Sequence, residues 1–454
     1  MQIKCSKSPP FISRILSVVV YLQAMRITKL TLQNFRNFND DAEKNTFVFR
    51  EKFTAIIGEN GKGKSSILNG LEIAVGAYLL GINEADKRHI REAEIRKEEV
   101  SSPSGAKHLV PKVPVNVIVE GFIDSENQIS WRRSIPDVGA KTTSSQNHVG
   151  SVRDIAESKR KSFYETNIPV DNPVILFFGT SRLWGAARKR QSFSGREIYA
   201  LGYFSWAEMR SNSFRYTDWL DGYDFRVKDS KEVIGTKEAF FQAIKTAVPF
   251  IEDIDFGGFE LWLKLKSGAY MPLSIHSDGI QTIVDMVAEL AFRCVILNGH
   301  YKEEAVIKSK GLVMIDEIDL HIHPNWQRHL VQDLKNAFPE IQFVVTTHSP
   351  FIVQSLSADE IINLDFPDSG ISPIELPIDD VAEDVMGVSS AFSLENEQKE
   401  ELSDKYFEIL SQVVVESGSG NIVELSQKLD EIENQISDPG LRSFLRMNRI
   451  AKIK

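Results

Sequence analysis

The feature of this chain that most constrains its fold is a glycine-rich segment that directly follows an apolar run. Residues 58–66 read Gly-Glu-Asn-Gly-Lys-Gly-Lys-Ser-Ser, and residues 53–57 before them read Phe-Thr-Ala-Ile-Ile. This matches the strand–loop–helix pattern G-x-x-x-x-G-K-S/T, whose glycines let several backbone N–H groups converge on phosphate oxygens. Apolar residues then recur at helical spacing, at positions 67, 68, 71, 74 and 75. The pattern predicts that the chain binds a nucleoside triphosphate.

The residue types in this loop predict individual roles. The ammonium of Lys64 is expected to contact the β- and γ-phosphates, and the hydroxyl of Ser65 is expected to be a ligand for Mg²⁺. The helix that begins there points its positive end toward the anion. We therefore expect the nucleotide, ATP, to be held by Gly58, Asn60, Gly61, Lys62, Gly63, Lys64, Ser65 and Ser66.

Two acidic residues end a second apolar run. Residues 312–315 are continuously apolar and are followed by Asp316 and Glu317. Since ligands in open α/β sheets bind at the carboxyl ends of the strands, these carboxylates are expected to face the phosphates. Asp316 is predicted to complete the Mg²⁺ shell, as in the Walker B arrangement. Glu317 is predicted to polarise the attacking water as the general base.

Two further segments carry candidate nucleotide contacts. Residues 341–345 are apolar and lead to His348, which is predicted to sense the γ-phosphate. Ser277 precedes a long helix with one apolar face, so Ser277 and the backbone amides near Gly279 form a second helix start able to bind an anion. Alternating apolar strands and helices of this kind indicate a largely parallel sheet that is covered on both faces.

Composition and the N-terminal residues restrict where the chain functions. The chain has 454 residues, a formal net charge of −10 and two distant cysteines without metal-ligand spacing, which fits a reducing, cytoplasmic setting. The sequence contains no run of about 20 apolar residues to span a bilayer. Residues 11–24 resemble a short signal-peptide core, but Arg14 interrupts them and Met25 directly precedes a strand pattern. We therefore predict that residues 1–24 are an N-terminal extension.

Together, in this order, the four motifs resemble the ABC-type ATPases, in the branch that includes RecF, Rad50 and the overcoming-lysogenization-defect (OLD) proteins. Residues 30–38 look like the first strand of that branch, residues 277–279 like its signature loop, and residues 316–324 like its Walker B motif and D-loop. His276 stands where the family usually has leucine. The resemblance implies an α/β fold: a P-loop ABC-ATPase head with a mostly parallel sheet plus antiparallel strands, a helical insertion lobe and a helical C-terminal tail.

The resemblance also implies a division of the chain and a mode of assembly. Residues 25–377 are expected to form the ATPase domain, with residues 82–270 as an inserted helical and hairpin lobe, and residues 378–454 a helical C-terminal region. Family members form a head-to-tail dimer, in which Ser277 and Gly279 of one subunit would close on the ATP held by the other. By the same analogy, Arg36 would touch the nucleotide.

Two residue groups admit more than one interpretation. Asp319, His321 and His323 alternate as in a metal site, but their place after the Walker B residues favours a loop that contacts the dimer partner. No cysteine or further histidine cluster completes a tetrahedral set around them. The basic clusters at 159–161 and 188–190 are candidates for contact with DNA, although charge runs are usually solvated faces.

The remaining segments separate the functional hypotheses. The segment between Lys64 and Ser277 lacks heptads and is too short and irregular for long coiled-coil arms. Polar, helix-like residues follow His348, without the strands that a Toprim nuclease core needs. What remains resembles the stand-alone ATPase subunits of bacterial antiphage systems, the PtuA component of Septu most of all. The resemblance implies an ATPase that forms a homodimer or higher homo-oligomer and regulates a separate nuclease, expected to be of the HNH type. The alternative is a RecF-like DNA repair or recombination ATPase that clamps DNA directly.

Overall fold

The computed structural model describes residues 25–83, 85–102, 107–166, 169–180, 198–207, 214–228, 233–268, 270–367, 370–388, 394–415, 422–436 and 439–452. The predicted extension at residues 1–24 and the basic cluster at 188–190 lie outside this part of the chain. Contacts within the chain divide it into two compact units, one up to Glu375 and the other from Leu376 onward.

The described residues contain fourteen strands and thirteen α-helical segments. The strands are β1 (Arg26–Gln33), β2 (Thr46–Val48), β3 (Phe53–Ile57), β4 (Lys97–Ser101), β5 (Lys107–Pro111), β6 (Val115–Phe122), β7 (Ile129–Ile135), β8 (Val174–Phe178), β9 (Ile251–Gly257), β10 (Glu260–Leu265), β11 (Tyr270–Pro272), β12 (Gly311–Ile315), β13 (Ile341–Thr346) and β14 (Ile361–Asn363). The helices of the first unit are α1 (Lys64–Leu79), α2 (Gln146–Glu165), α3 (Ile198–Tyr203), α4 (Phe214–Lys228), α5 (Thr236–Ala247), α6 (Asp278–Asn298), α7 (Ala305–Lys308), α8 (Pro324–Ala337) and α9 (Pro350–Val353). Those of the second unit are α10 (Ile378–Asp380), α11 (Leu394–Val415), α12 (Ile422–Gln435) and α13 (Pro439–Lys452).

The core of the first unit is a five-stranded parallel sheet in the order β14-β3-β13-β12-β8. Every residue of β3, β8, β12 and β13 is buried. Strands that are covered on both faces need apolar side chains at nearly every position, which explains the unbroken apolar runs in the sequence. The fold is therefore of the α/β class that these runs predict.

The direction of these strands determines where the conspicuous sequence motifs meet. Because all five strands run parallel, their carboxyl ends lie at the same edge of the sheet. At this edge β3 leads into the glycine-rich loop at Gly58, and β12 leads into Asp316. β13 leads toward His348, and β14 is followed by Asp365.

Antiparallel strands complete the first unit. A four-stranded sheet in the order β2-β1-β6-β7 contacts α1, and a three-stranded sheet, β11-β10-β9, precedes α6. The segment 82–270, predicted as an inserted lobe, is only partly an insertion: it supplies β6 and β7 to the sheet of β1, and β8 to the edge of the parallel sheet. Pairings such as that of Leu30 with Val119 join residues far apart in the chain and leave no local pattern in the sequence.

Helix α6 carries a buried acid within the first unit. The Oδ1 atom of Asp285 accepts a hydrogen bond of 2.6 Å from the hydroxyl of Tyr216 on α4. Burial raises the pKa of the Asp285 carboxyl to about 6; the hydrogen bond from Tyr216 opposes this shift, and the charges of Glu289 and Glu260 add to it. The folded protein therefore keeps a proton on Asp285 that the unfolded chain releases near its ordinary pKa of 3.8.

This difference predicts a pH-dependent stability. As the pH rises from about 4 to about 6, only the unfolded chain releases this proton, so the free energy of unfolding falls by roughly 3 kcal/mol, at about 1.4 kcal/mol per pKa unit. Asp285→Asn cannot ionise, and its amide oxygen can still accept the bond from Tyr216. We expect this variant to be more stable than the wild type at pH 7.5 in urea titrations, with a difference that shrinks toward pH 4.5. Glu238→Gln, at an exposed position, serves as the control and should show the pH dependence of the wild type. An equal pH dependence of Asp285→Asn and the wild type would contradict the prediction.

The second unit is helical. Helices α11, α12 and α13 share a small apolar core that includes Tyr406, Leu410, Leu429 and Leu445. The hydroxyl of Tyr406 donates a hydrogen bond of 2.7 Å to the buried carboxylate of Glu433. This is the helical C-terminal tail that the resemblance implies. None of the described helices has both the length and the apolar sequence that a membrane span needs.

Candidate nucleotide-binding site

The glycine-rich loop between β3 and α1 has a backbone that larger residues rarely adopt. Gly58, Gly61 and Gly63 have φ angles of 145°, 86° and 107°. A Cβ atom on Gly63 would also lie only 2.8 Å from the Cζ atom of Phe38. The glycine spacing in the sequence therefore reflects a tight loop, and this loop ends at Lys64, the first residue of α1.

Lys64 lies across this loop. Its Nζ atom donates hydrogen bonds to the carbonyl oxygens of Gly58, at 2.6 Å, and Glu59, at 3.0 Å. Burial lowers the pKa of the Lys64 ammonium, whereas nearby carboxylates, Asp365 first among them, act to raise it. A partly buried ammonium at the N-terminus of a 16-residue helix is the arrangement that binds phosphate oxygens.

Ser65 and Asp316 meet although 251 positions separate them. The Oγ atom of Ser65 donates to Asp316 Oδ1 at 3.2 Å, and the hydroxyl of Thr346 donates to the same oxygen at 2.6 Å. A hydroxyl and a carboxylate are oxygen ligands of the kind that Mg²⁺ prefers, together with waters that it retains. The two residues predicted as Mg²⁺ ligands thus fit this ion, and Thr346 fixes the carboxylate.

Glu317 follows Asp316 with an unusual backbone conformation. Its φ angle is 50°, and its N–H donates a hydrogen bond of 2.7 Å to the Oγ1 atom of Thr346. A non-glycine residue in the left-handed region costs about 1–3 kcal/mol and persists only where the surrounding structure imposes it. The hydroxyl of Thr346 therefore binds both the carboxylate of Asp316 and the backbone of Glu317, which fixes the acidic pair at the end of β12.

The segment after β13 is held by Asp319. The hydroxyl of Thr347 donates to Asp319 Oδ1 at 2.6 Å, and the N–H of His348 lies 3.4 Å from the same oxygen. The side chain of His348 is exposed at this edge. Asp319 therefore positions the predicted γ-phosphate sensor.

The alternative of a metal site at Asp319, His321 and His323 finds no support in the structure. Within the part of the chain that the structure describes, no group of three or more His, Cys, Asp or Glu side chains could hold a metal ion. His323 instead caps α8, where its Nδ1 atom accepts a hydrogen bond of 3.2 Å from the N–H of Asn325.

Ser277 and Gly279 lie beside the predicted D-loop. They line a cavity of about 630 Å³ together with Asp278, residues 321–323 and Trp326. A Cβ atom on Gly279 would lie 2.4 Å from the carbonyl oxygen of His321, so only glycine permits this close approach. The two loops that were predicted to face a second subunit are therefore packed against each other at one cavity.

Arg36, which the resemblance predicts to touch the nucleotide, pairs with a buried carboxylate in this structure. Its Nη2 atom lies 3.0 Å from the buried carboxylate of Glu94, which also pairs with Arg88, and Arg88 in turn pairs with Glu72 of α1. The neighbouring Asn37 contacts the loop, because its side-chain amide donates a hydrogen bond to the carbonyl oxygen of Gly61. A contact between Arg36 and the nucleotide stays a prediction.

Asp365 is a residue of this site that the sequence did not reveal. Its Oδ2 atom accepts a hydrogen bond of 2.6 Å from the N–H of Glu59, and its Oδ1 atom lies 3.0 Å from the ammonium of Lys62. The hydrogen bond and the charge of Asp365 raise the pKa of Lys62. Asp365 follows a strand of only three residues and lies about 300 positions from the loop, so no local pattern marks it.

In the basic cluster at 159–161, both lysines are paired with carboxylates of the same unit. Lys159 is buried, and its ammonium lies 2.9 Å from Asp124 Oδ1 and also donates to the carbonyl oxygen of Asp171. Lys161 pairs with Glu165 at the surface. The cluster at 159–161 is therefore engaged within its own unit.

Comparisons with known proteins show the family of this chain. Residues 53–354 match the family model described as "AAA domain, putative AbiEii toxin, Type IV TA system". The "Retron Vc95 probable ATPase" of Vibrio cholerae serotype O1 biovar El Tor is 24% identical over 444 residues, which cover 83% of this chain and 81% of that protein. The "Septu protein PtuA" of Bacillus mycoides (strain KBAB4) is 24% identical over 344 residues, covering 74% of this chain and 40% of that protein.

Among solved structures, the "SMC head domain from Thermotoga maritima" aligns with 73% of this chain and 92% of its own, at 18% identity and a TM-score of 0.40. The family match is the stronger finding, because it covers about two thirds of the chain and includes the loop, the acidic pair and His348. The chain belongs to the family described as "AAA domain, putative AbiEii toxin, Type IV TA system", and it is similar to the retron and Septu proteins.

Proposed function

We propose that this chain hydrolyses ATP, dimerises head to tail on ATP, and thereby regulates a separate nuclease in bacterial antiphage defence. The observation that carries the proposal is the convergence of Lys64, Ser65, Asp316 and Glu317 at one edge of the parallel sheet. The similarity to a retron ATPase and to a Septu protein supports the defence setting.

The loop and the start of α1 bind the triphosphate. The ammonium of Lys64 exchanges the carbonyl oxygens of Gly58 and Glu59 for phosphate oxygens, which are stronger acceptors because they are charged. Ser65 and Asp316 would hold Mg²⁺, which supplies positive charge at the β- and γ-phosphates when bound. Lys62, already paired with Asp365, adds a second positive charge at the rim of the loop.

Glu317 and His348 act in the hydrolysis step. The carboxylate of Glu317 accepts a proton from the attacking water, which makes that water a better nucleophile. The exposed side chain of His348 lies just beyond the end of β13, the strand next to β12, where it can report the presence of the γ-phosphate. Thr346 and Asp319 hold these two residues in position through their hydrogen bonds.

Dimerisation would bring the cavity of Ser277 and Gly279 onto the nucleotide of a second subunit. The N-terminus of the 21-residue helix α6 is a favourable place for an anion, and Ser277 is its N-cap residue. Residues 321–323 line the same cavity, so the predicted signature loop and the predicted D-loop lie on one surface that a second subunit could contact. This arrangement supports an ATP-dependent interface between two copies of the chain.

This assembly can be tested by mass. We expect light scattering of the full chain to show a doubled mass with a non-hydrolysable ATP analogue and Mg²⁺, relative to the protein without nucleotide. Ser277→Arg places a bulky side chain at the N-terminus of α6 and should prevent the doubling while leaving nucleotide binding within about twofold. The matched control is Ser274→Arg, on the same exposed approach to α6 but outside the cavity.

The outcomes separate the parts of the proposal. An unchanged mass with bound nucleotide would contradict the head-to-tail dimer. Co-purification with the product of a neighbouring nuclease gene would support the regulatory role. Tight, salt-sensitive DNA binding by the isolated dimer would instead support a RecF-like clamp.

A further inference from the structure

Trp326 lines a further cavity, separate from the one beside Ser277. This cavity has a volume of about 470 Å³ and lies between α8, the end of α5 with the residues that follow it, and Ile283 of α6. The residues from α8 are Trp326, His329, Leu330 and Asp333. Their spacing of three and four positions places them on a single helix face. A volume of this size is in the range of cavities that bind small molecules or inserted side chains.

Most of the cavity wall is apolar and aromatic. Phe250 and Trp326 are stacked, with ring centroids 4.3 Å apart and an angle of 16° between the ring planes. Leu330 and Ile283 are buried and extend the apolar surface beside these rings. The aromatic pair offers a rigid, flat surface to an incoming group.

One carboxylate, that of Asp333, lies in this apolar wall. Asp333 is half-buried, and no described residue forms an ion pair or hydrogen bond with its side chain. Burial raises the pKa of Asp333, and the charge of His329 opposes this shift only in part. Lys266 also lines the cavity, but its side chain is exposed at the turn after β10. A carboxylate in such a place is stabilised by a cation that can donate hydrogen bonds.

We propose that this cavity receives an arginine side chain from an apolar segment of a partner protein. A guanidinium group is planar, so it stacks on aromatic rings, and its paired N–H groups match a carboxylate in two parallel hydrogen bonds. Lysine offers only a point charge and gains less from a flat aromatic wall. Arginine and tryptophan are also the residues that most often dominate the binding energy of protein interfaces.

The proposal can be tested with short peptides and the full chain. The probes are acetyl-Leu-Arg-Leu-amide, its lysine counterpart and its glutamine counterpart. The protein carries 5-fluorotryptophan, and the Trp326→Phe variant identifies the ¹⁹F signal of Trp326 among the six tryptophans. We expect a saturable shift of this signal with the arginine peptide, and binding at least about fivefold weaker for the lysine and glutamine peptides.

Two matched variants locate the binding site. Asp333→Asn should weaken binding of the arginine peptide by about tenfold, because it removes one charge-assisted pair. Asp278→Asn should leave it unchanged, because Asp278 lies in the neighbouring cavity that shares Trp326. No saturable shift with the arginine peptide would overturn the proposal. Equal binding of all three peptides, or a loss with Asp278→Asn in place of Asp333→Asn, would overturn it as well.

Discussion

Lys64→Ala is expected to lower the affinity for ATP by at least about 100-fold and so to abolish measurable binding at micromolar nucleotide. The substitution removes the ammonium that lies across the loop and would pair with two phosphates. Hydrogen bonds to charged groups contribute about 1.5–3 kcal/mol each, and two such bonds correspond to a factor of roughly 100 or more. Equilibrium titration with a fluorescent ATP analogue measures the change directly.

Lys62→Ala is the matched control for this prediction. It removes the same charge from the same loop, but the ammonium of Lys62 is paired with Asp365, at 3.0 Å, and its side chain is about half exposed. We expect its loss to weaken binding by less than about tenfold, as for a screened surface charge. Circular dichroism should show that both variants are folded without nucleotide. Wild-type affinity of Lys64→Ala, or a larger loss in Lys62→Ala than in Lys64→Ala, would contradict the assignment.

The fold and the centre of this site could be predicted from the sequence because their signals are local. Strands buried on both faces require unbroken apolar runs, so β3, β12 and β13 were visible, and the residues that end these strands were expected at one edge. The positive φ angles of Gly58, Gly61 and Gly63 explain why the loop needs glycine at those positions. A motif of this kind encodes backbone geometry over nine successive residues.

The supporting residues could not be predicted because their contacts join distant parts of the chain. Thr346 ends an apolar strand, and the residues around it do not indicate that its hydroxyl holds both members of the acidic pair. Asp365 reaches the loop from about 300 positions away. The guanidinium of Arg36 pairs with the buried carboxylate of Glu94, which lies 58 positions further along the chain. Buried ion pairs of this kind depend on tertiary packing, which a motif does not contain.

Glu317→Gln is expected to reduce the rate of ATP hydrolysis by at least about 100-fold and to leave ATP binding intact. The amide has the shape of the carboxylate but cannot accept a proton from water, and positioned general bases contribute about 10²- to 10⁴-fold. Lys64, Ser65 and Asp316 are unchanged in this variant, so the contacts that bind the triphosphate remain. The hydrogen bond to the Thr346 hydroxyl comes from the backbone N–H of Glu317 and not from its side chain, so the turn at this position is preserved.

Single-turnover phosphate release and nucleotide titration, measured on the same preparations, separate these two effects. Glu340→Gln is a suitable control, because Glu340 precedes β13 at the opposite end of the parallel sheet and pairs with Lys52 at the surface. It changes the net charge by the same amount and should hydrolyse ATP at the wild-type rate. Because turnover is blocked after binding, Glu317→Gln should also accumulate the ATP-bound dimer, which the Lys64→Ala variant cannot form. Wild-type hydrolysis by Glu317→Gln would show that another group activates the water, and the acidic pair would then serve only to bind the ion and the nucleotide.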